Sequence, residues 1–132
     1  MQYTSTLGRD GLVDLAINRY FASVDRKDLE ASLDCFHENA MFTVQTAGTV
    51  HAGRDAIRRM FTDFFRHFAV IVHRDFTLTV DERNGRIAAA FIAEMIDPQG
   101  QRVERHSTNF WRVRDGRFQE VYVYMSGPNM LT

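Results

Sequence analysis

Three tight-turn signals in the second half of the chain restrict its fold more than any other feature. Glu82-Arg83-Asn84-Gly85, Asp97-Pro98-Gln99-Gly100 and Arg114-Asp115-Gly116 separate four strand-patterned segments, near 69–81, 86–96, 101–114 and 117–125. Turns this short join antiparallel neighbours, because a parallel connection needs a crossover of a dozen or more residues. The second half is therefore expected to be an antiparallel meander. The first half has a different period. Leu12, Leu15, Ala16, Ile17, Tyr20, Phe21 and Val24 recur at helical spacing, which predicts a first helix over about 10–24. Asp28 is placed to cap a short second helix carrying Leu29, Leu33 and Phe36 and ending near His37-Glu38-Asn39. Residues 40–46 alternate as a short strand, and a third helix opens at Arg54-Asp55 with Ile57, Phe61, Phe64, Phe65 and Phe68 on one face. Three helices followed by a long antiparallel sheet make an α+β fold, with the helices packed on one face of a curved sheet.

The 132 residues suit one domain spanning 1–132, and 45% hydrophobic with 25% charged residues is a globular composition. A net charge of −1 carries no electrostatic footprint for nucleic acid. One cysteine, Cys35, excludes an internal disulfide and a thiolate-rich metal site. It lies on an apolar helix face, as a small buried hydrophobe would. No secretory leader pattern and no apolar run of membrane-spanning length is present, so the expectation is a soluble, cytoplasmic protein away from membranes. The five histidines lack metal-ligand spacing, and neither a metal nor an organic cofactor is expected.

Two polar residues stand where apolar ones belong. His73 closes Phe68-Ala69-Val70-Ile71-Val72, which reads as a buried strand, and Asp25 ends the first helix behind Ile17, Tyr20, Phe21 and Val24. Burying either without a partner is costly, so each invites the other as its partner. An Asp–His pair makes a base that works near neutral pH. Plainer readings stand beside this one. His73 fits a core histidine bonded to backbone, and Asp25 fits a turn or cap with Asp28. The phenylalanines of the third helix fit ordinary core. Strand alternation points His106 away from Ser107 and Asn109. His51 precedes a Gly-led turn and reads as exposed or structural, while His37 and His67 are expected at helix ends. Trp111, Tyr122 and Tyr124 suit either a pocket or an oligomer interface.

Tyr20 to Leu29, Phe36-His37-Glu38-Asn39-Ala40-Met41-Phe42, Gly53-Arg54-Asp55-Ala56-Ile57 and the Phe110 to Phe118 hairpin carry a family resemblance. The whole chain resembles the SnoaL-like, nuclear transport factor-like superfamily, which implies a cone-shaped barrel of helices and bent sheet around an apolar pocket. Within it, the chain is similar to the branch holding scytalone dehydratase, bile-acid dehydratase and hexachlorocyclohexane dehydrochlorinase. These enzymes place an aspartate just after the first helix and a histidine in the first long strand. Val24-Asp25-Arg26-Lys27-Asp28 and Val72-His73 match those segments. Tyr20 falls where some members carry a pocket Tyr or Lys, and His106-Ser107-Thr108-Asn109 resembles the scytalone dehydratase strand that offers a Ser and an Asn to substrate. The ketosteroid isomerase pattern fits worse, since its general base would fall at Val44. A further acidic or histidine group on the next strand has no counterpart near Ile96, although Glu94 shares that residue's parity.

The resemblance implies a cofactor-independent lyase or isomerase, dehydratase-like, in which Asp25 and His73 abstract a proton from carbon. Tyr20, Ser107, Asn109 and Glu94 would contact substrate, and Phe61 and Phe65 would wall a dry pocket for a small apolar or aromatic molecule. Alternatives are a non-catalytic small-molecule-binding protein of the same fold, or an assembly subunit resembling a dioxygenase β subunit. Relatives cover the outer sheet face by pairing, which implies a homodimer or homotrimer.

Overall fold

The computed structural model describes residues 6–132. A first continuous helical stretch runs through α1 (Arg9–Val13), a π-helical segment (Asp14–Phe21) and α2 (Ala22–Asp25). It buries Leu12, Leu15, Ala16, Tyr20, Phe21 and Val24 of the predicted stripe, with Ile17 half-buried against the core. Lys27 at φ 58° turns the chain, and the Asp28 carboxylate accepts the Ala31 N–H at 3.1 Å to start α3 (Leu29–Leu33). This helix stops earlier than periodicity predicts. Strand β1 (Phe36–Val44) begins where the helix was expected to continue, and the reason is backbone pairing. Phe118 donates its N–H to the Cys35 carbonyl at 2.7 Å, and Phe36 pairs with Phe118. The aromatic ring at 36 thus reaches the core from a strand rather than from a helix. A second short strand, β2 (Thr49–Ala52), pairs with β1 and was not foreseen; α4 (Arg54–His67) follows.

The meander is β3 (Val70–Asp81), β4 (Arg86–Ile96), β5 (Arg102–Arg114) and β6 (Arg117–Met125), with ends within a residue of those expected. The sheet order is β2-β1-β6-β5-β4-β3. Neighbours are antiparallel except β1 and β6, which run parallel, so the sheet is mixed rather than wholly antiparallel. It is curved and open. Register shifts in β1, β3 and β6 mark the bulges that increase local twist. The inner face carries Ile71, His73, Ala89, Phe91, Ala93, Met95, Ser107, Asn109, Trp111, Val121 and Val123 under the helices. The outer face leaves Val72, Phe110 and Tyr124 exposed. Because β3 is an edge strand, the run from Phe68 to Val72 is not buried throughout. Ile71 faces inward, while Val70 and Val72 face outward. No helix among the described residues is long and apolar enough to cross a membrane.

Candidate active site

The helical stretch and the edge strand bring Asp25 and His73 together. Asp25 Oδ1 lies 2.6 Å from His73 Nδ1, and Asp25 Oδ2 accepts the His73 backbone N–H at 3.1 Å. The carboxylate is thus held in two places by one residue, which fixes its plane relative to the ring. An ionised carboxylate only accepts, so Nδ1 carries the proton and, in the neutral ring, Nε2 keeps its lone pair. Nε2 has no hydrogen-bond partner among the described residues, and His73 lines the central cavity. The His73 side chain is 9% exposed against 28% for Asp25, so the imidazole faces the interior and the carboxylate lies nearer water. Phe21 stacks on the imidazole at 4.4 Å and Phe91 tilts against it at 5.4 Å, locking the ring's orientation.

A third contact holds the two elements in place. Lys27, in the turn after Asp25, donates from Nζ to the Phe68 carbonyl at 2.8 Å, at the junction of α4 and β3. The tie joins the chain just beyond Asp25 to the chain just before His73. Sequence reading missed it, because a side chain bonded to a carbonyl 41 residues away leaves no periodic trace.

The cavity has about 480 Å³ of empty space, its open mouth included. Its walls are apolar, with Phe21, Phe42, Phe61, Phe64, Phe91 and Met95 among them. Its polar lining is Tyr20, His73, Arg105, Ser107 and Asn109. Tyr20 is 3% exposed and ringed by Phe21, Phe36, Phe61, Trp111 and Phe118. Burial first, then the charges of Cys35 and Asp25, push its phenol far above the ordinary range. Tyr20 is therefore a permanent O–H donor and not a base. Asn109 is buried, its acceptor Oδ1 is unpartnered and its donor Nδ2 has no hydrogen bond among the described residues.

Two expected substrate contacts lie elsewhere. Phe65 packs on Phe61 and Phe64 at 5.6 and 6.2 Å, and the helix turns Phe64, not Phe65, to the cavity. Glu94 faces the outer side of the sheet, 2.9 Å from Arg102 and 3.3 Å from Arg74. The register explains this: His73 pairs with Ala93, so odd-numbered residues of β4 share its face and Glu94 cannot. Arg105 lines the cavity and went unremarked, although it has the parity of Ser107 and Asn109. His106 points outward beside Glu104. His37 sits in β1 against the Arg114 carbonyl at 2.5 Å, not at a helix end. His51 is buried and donates from Nε2 to the Leu131 carbonyl at 2.9 Å, holding down a tail whose Met130 and Leu131 line the cavity. No group of three or more His, Cys, Asp or Glu side chains among the described residues is placed to hold a metal ion.

The sequence model of the SnoaL-like domain matches residues 17–121. The chain belongs to the SnoaL-like family. Solved structures of the same fold include three with TM-scores of 0.77 or 0.78. A candidate aromatic ring hydroxylase from Novosphingobium aromaticivorans is 26% identical at TM-score 0.77, covering 91% of this chain and 90% of its own. A candidate polyketide cyclase from Xanthomonas campestris pv. campestris is 22% identical at TM-score 0.77, covering 88% and 90%. The epoxide hydrolase/cyclase-like enzyme SalBIII, of pyran ring formation in salinomycin, is 23% identical at TM-score 0.78, covering 89% and 92%. No curated protein matches the sequence.

Proposed function

We propose that this SnoaL-like protein is a cofactor-independent lyase or isomerase of dehydratase type, acting on a small apolar or aromatic substrate. The 2.6 Å Asp25–His73 pair, with Nε2 unpartnered at an apolar cavity, carries the reading. Nε2 takes a proton from a carbon next to a carbonyl, and the C–H electron pair passes into an enolate. Asp25 stabilises the imidazolium that results, as the aspartate does in a hydrolase triad. Tyr20 O–H and the Asn109 amide are the donors available to the enolate oxygen. The enolate then expels a leaving group from the β carbon, or it is reprotonated at another carbon by His73. In the first case the product is an alkene, in the second an isomer. The exposed Phe110 and Tyr124, 6.1 Å apart on the outer sheet face, support a homo-oligomer built on that face.

The test follows the first step alone. α-Tetralone and related aryl ketones, incubated with the protein in heavy water, exchange their α protons when Nε2 acts on them. His73→Ala should abolish this exchange with circular dichroism unchanged, and Asp25→Asn should slow it about 10²–10⁴-fold. Exchange that persists in His73→Ala would sink the mechanism. A wild-type chain that binds the ketones without exchanging them would favour the non-catalytic binding protein.

A further inference from the structure

Arg105 introduces a cation into a cavity whose lining contains no carboxylate. Three other arginines on this sheet have counter-ions: Arg74 meets Asp75, Glu94 and Glu104, Arg102 meets Glu94 and Glu104, and Arg112 meets Glu120. Arg105 has no ion pair among the described residues. Its guanidinium has one hydrogen bond and one close neighbour. Nη1 donates to the Glu104 carbonyl at 3.3 Å, and Nε is shut away from water with no acceptor. The backbone of Gly127 (φ 74°) packs so closely on the group that a Cβ there would stand 2.9 Å from Cζ and Nε. Nη2 alone is left with neither a partner nor a cover.

The sheet register places this cation relative to the base. His73 pairs with Ala93, and Ala93 pairs with Arg105, so the three lie in one row across β3, β4 and β5. Two strand spacings put the His73 and Arg105 backbones about 10 Å apart. The residue between them is a single methyl group. A ligand lying over Ala93 with one end at the imidazole therefore brings its other end to the guanidinium, roughly one substituted ring away.

We propose that Arg105 binds an anionic group of the ligand, a carboxylate, at the opposite end of the cavity from His73. The substrate class is then an apolar or aromatic acid, bound with its acidic C–H at His73 and its carboxylate at Arg105. The assignment rests on the cavity being the substrate site, but it does not need the protein to turn the ligand over. A half-buried guanidinium with no counter-ion among the described residues favours a charge-assisted hydrogen bond over a neutral one. The carboxylate supplies what the cavity lacks.

Calorimetric titration of the full chain with benzoate, trans-cinnamate and 2-naphthoate, each beside its primary amide, tests this. Shape is nearly constant within each pair, and charge is not. At least one carboxylate should bind about tenfold or more tightly than its amide, and Arg105→Gln should reduce that ratio to about twofold or less. Arg105→Lys should keep part of the preference, and His73→Ala should keep all of it. Absence of binding by all three carboxylates, equal affinity within every pair, or a preference that survives Arg105→Gln overturns the proposal. Should Arg105→Gln fail to fold by circular dichroism, the wild type and Arg105→Lys decide it by the same criterion. A preference seen without proton exchange would leave this assignment standing while the catalytic reading falls, and exchange without a preference would do the reverse.

Discussion

Tyr20 and Cys35 show how single buried residues set a chemical property of the whole chain. Burial holds the Tyr20 phenol and the Cys35 thiol in their neutral, protonated forms, and pushes the thiol up to about 11. In the unfolded chain these groups ionise near their ordinary values of 10.0 and 9.0. Above those values the unfolded state has released protons that the folded state still holds, so stability must fall as pH rises. The Cys35 contribution is lost between about pH 9 and about pH 11, and that of Tyr20 from about pH 10 upward. Denaturation midpoints should therefore drop across this range, with Cys35→Ala flattening the lower part and Tyr20→Phe the upper. A profile identical in all three chains would contradict the burial argument. The residue scale is also where sequence reading went furthest. Asp25 and His73 were legible because each is polar inside an apolar pattern. Arg105 carries the same kind of signal through its parity with Ser107 and Asn109, yet a long charged side chain on a strand ordinarily reaches water, which masks it.

At the scale of elements, the turns did most to make the fold legible. Strand ends near Asn84-Gly85, Asp97-Pro98 and Asp115-Gly116 are local backbone chemistry, and Gly85, Gly100, Gly116 and Asp115 all take positive φ in them. The short pieces of the first half were less legible. Leu29, Leu33 and Phe36 have helical spacing, but Phe36 belongs to a strand because its partner, Phe118, is 82 positions away, and no local pattern reports such pairing. The parallel β1–β6 contact was hidden for the same reason. Long-range ties of this kind also position the site. Lys27 is the clearest case, and Lys27→Met should loosen the turn after Asp25 against the start of β3. Slower α-proton exchange with little loss of thermal stability is the expected result. Unchanged exchange would mean that the carboxylate's two bonds to His73 hold the pair unaided.

For the molecule as a whole, the proposed function depends on a cavity lined by five strands, the first helical stretch, α4 and the tail at Met130 and Leu131. Ala93 lines the cavity, between His73 and Arg105 in the sheet register. Ala93→Leu should fill that space and abolish ligand binding by calorimetry while leaving the Asp25–His73 contact intact. Retained affinity would show that ligands lie elsewhere. On the opposite face, Phe110→Glu should shift the proposed oligomer to monomer in sedimentation, because a charge would replace an exposed ring on the proposed interface. An unchanged sedimentation coefficient would remove that face from consideration. By itself the sequence determined the first helix, the meander, the family resemblance and the two residues worth pairing, since these are written in periodicities, turn residues and local motifs. Only the tertiary structure decided that Asp25 meets His73, that Phe64 rather than Phe65 faces the cavity, that Glu94 leaves it and that Arg105 enters it. Each of those depends on strand register and helix rotation, which are set by packing between residues far apart in the chain.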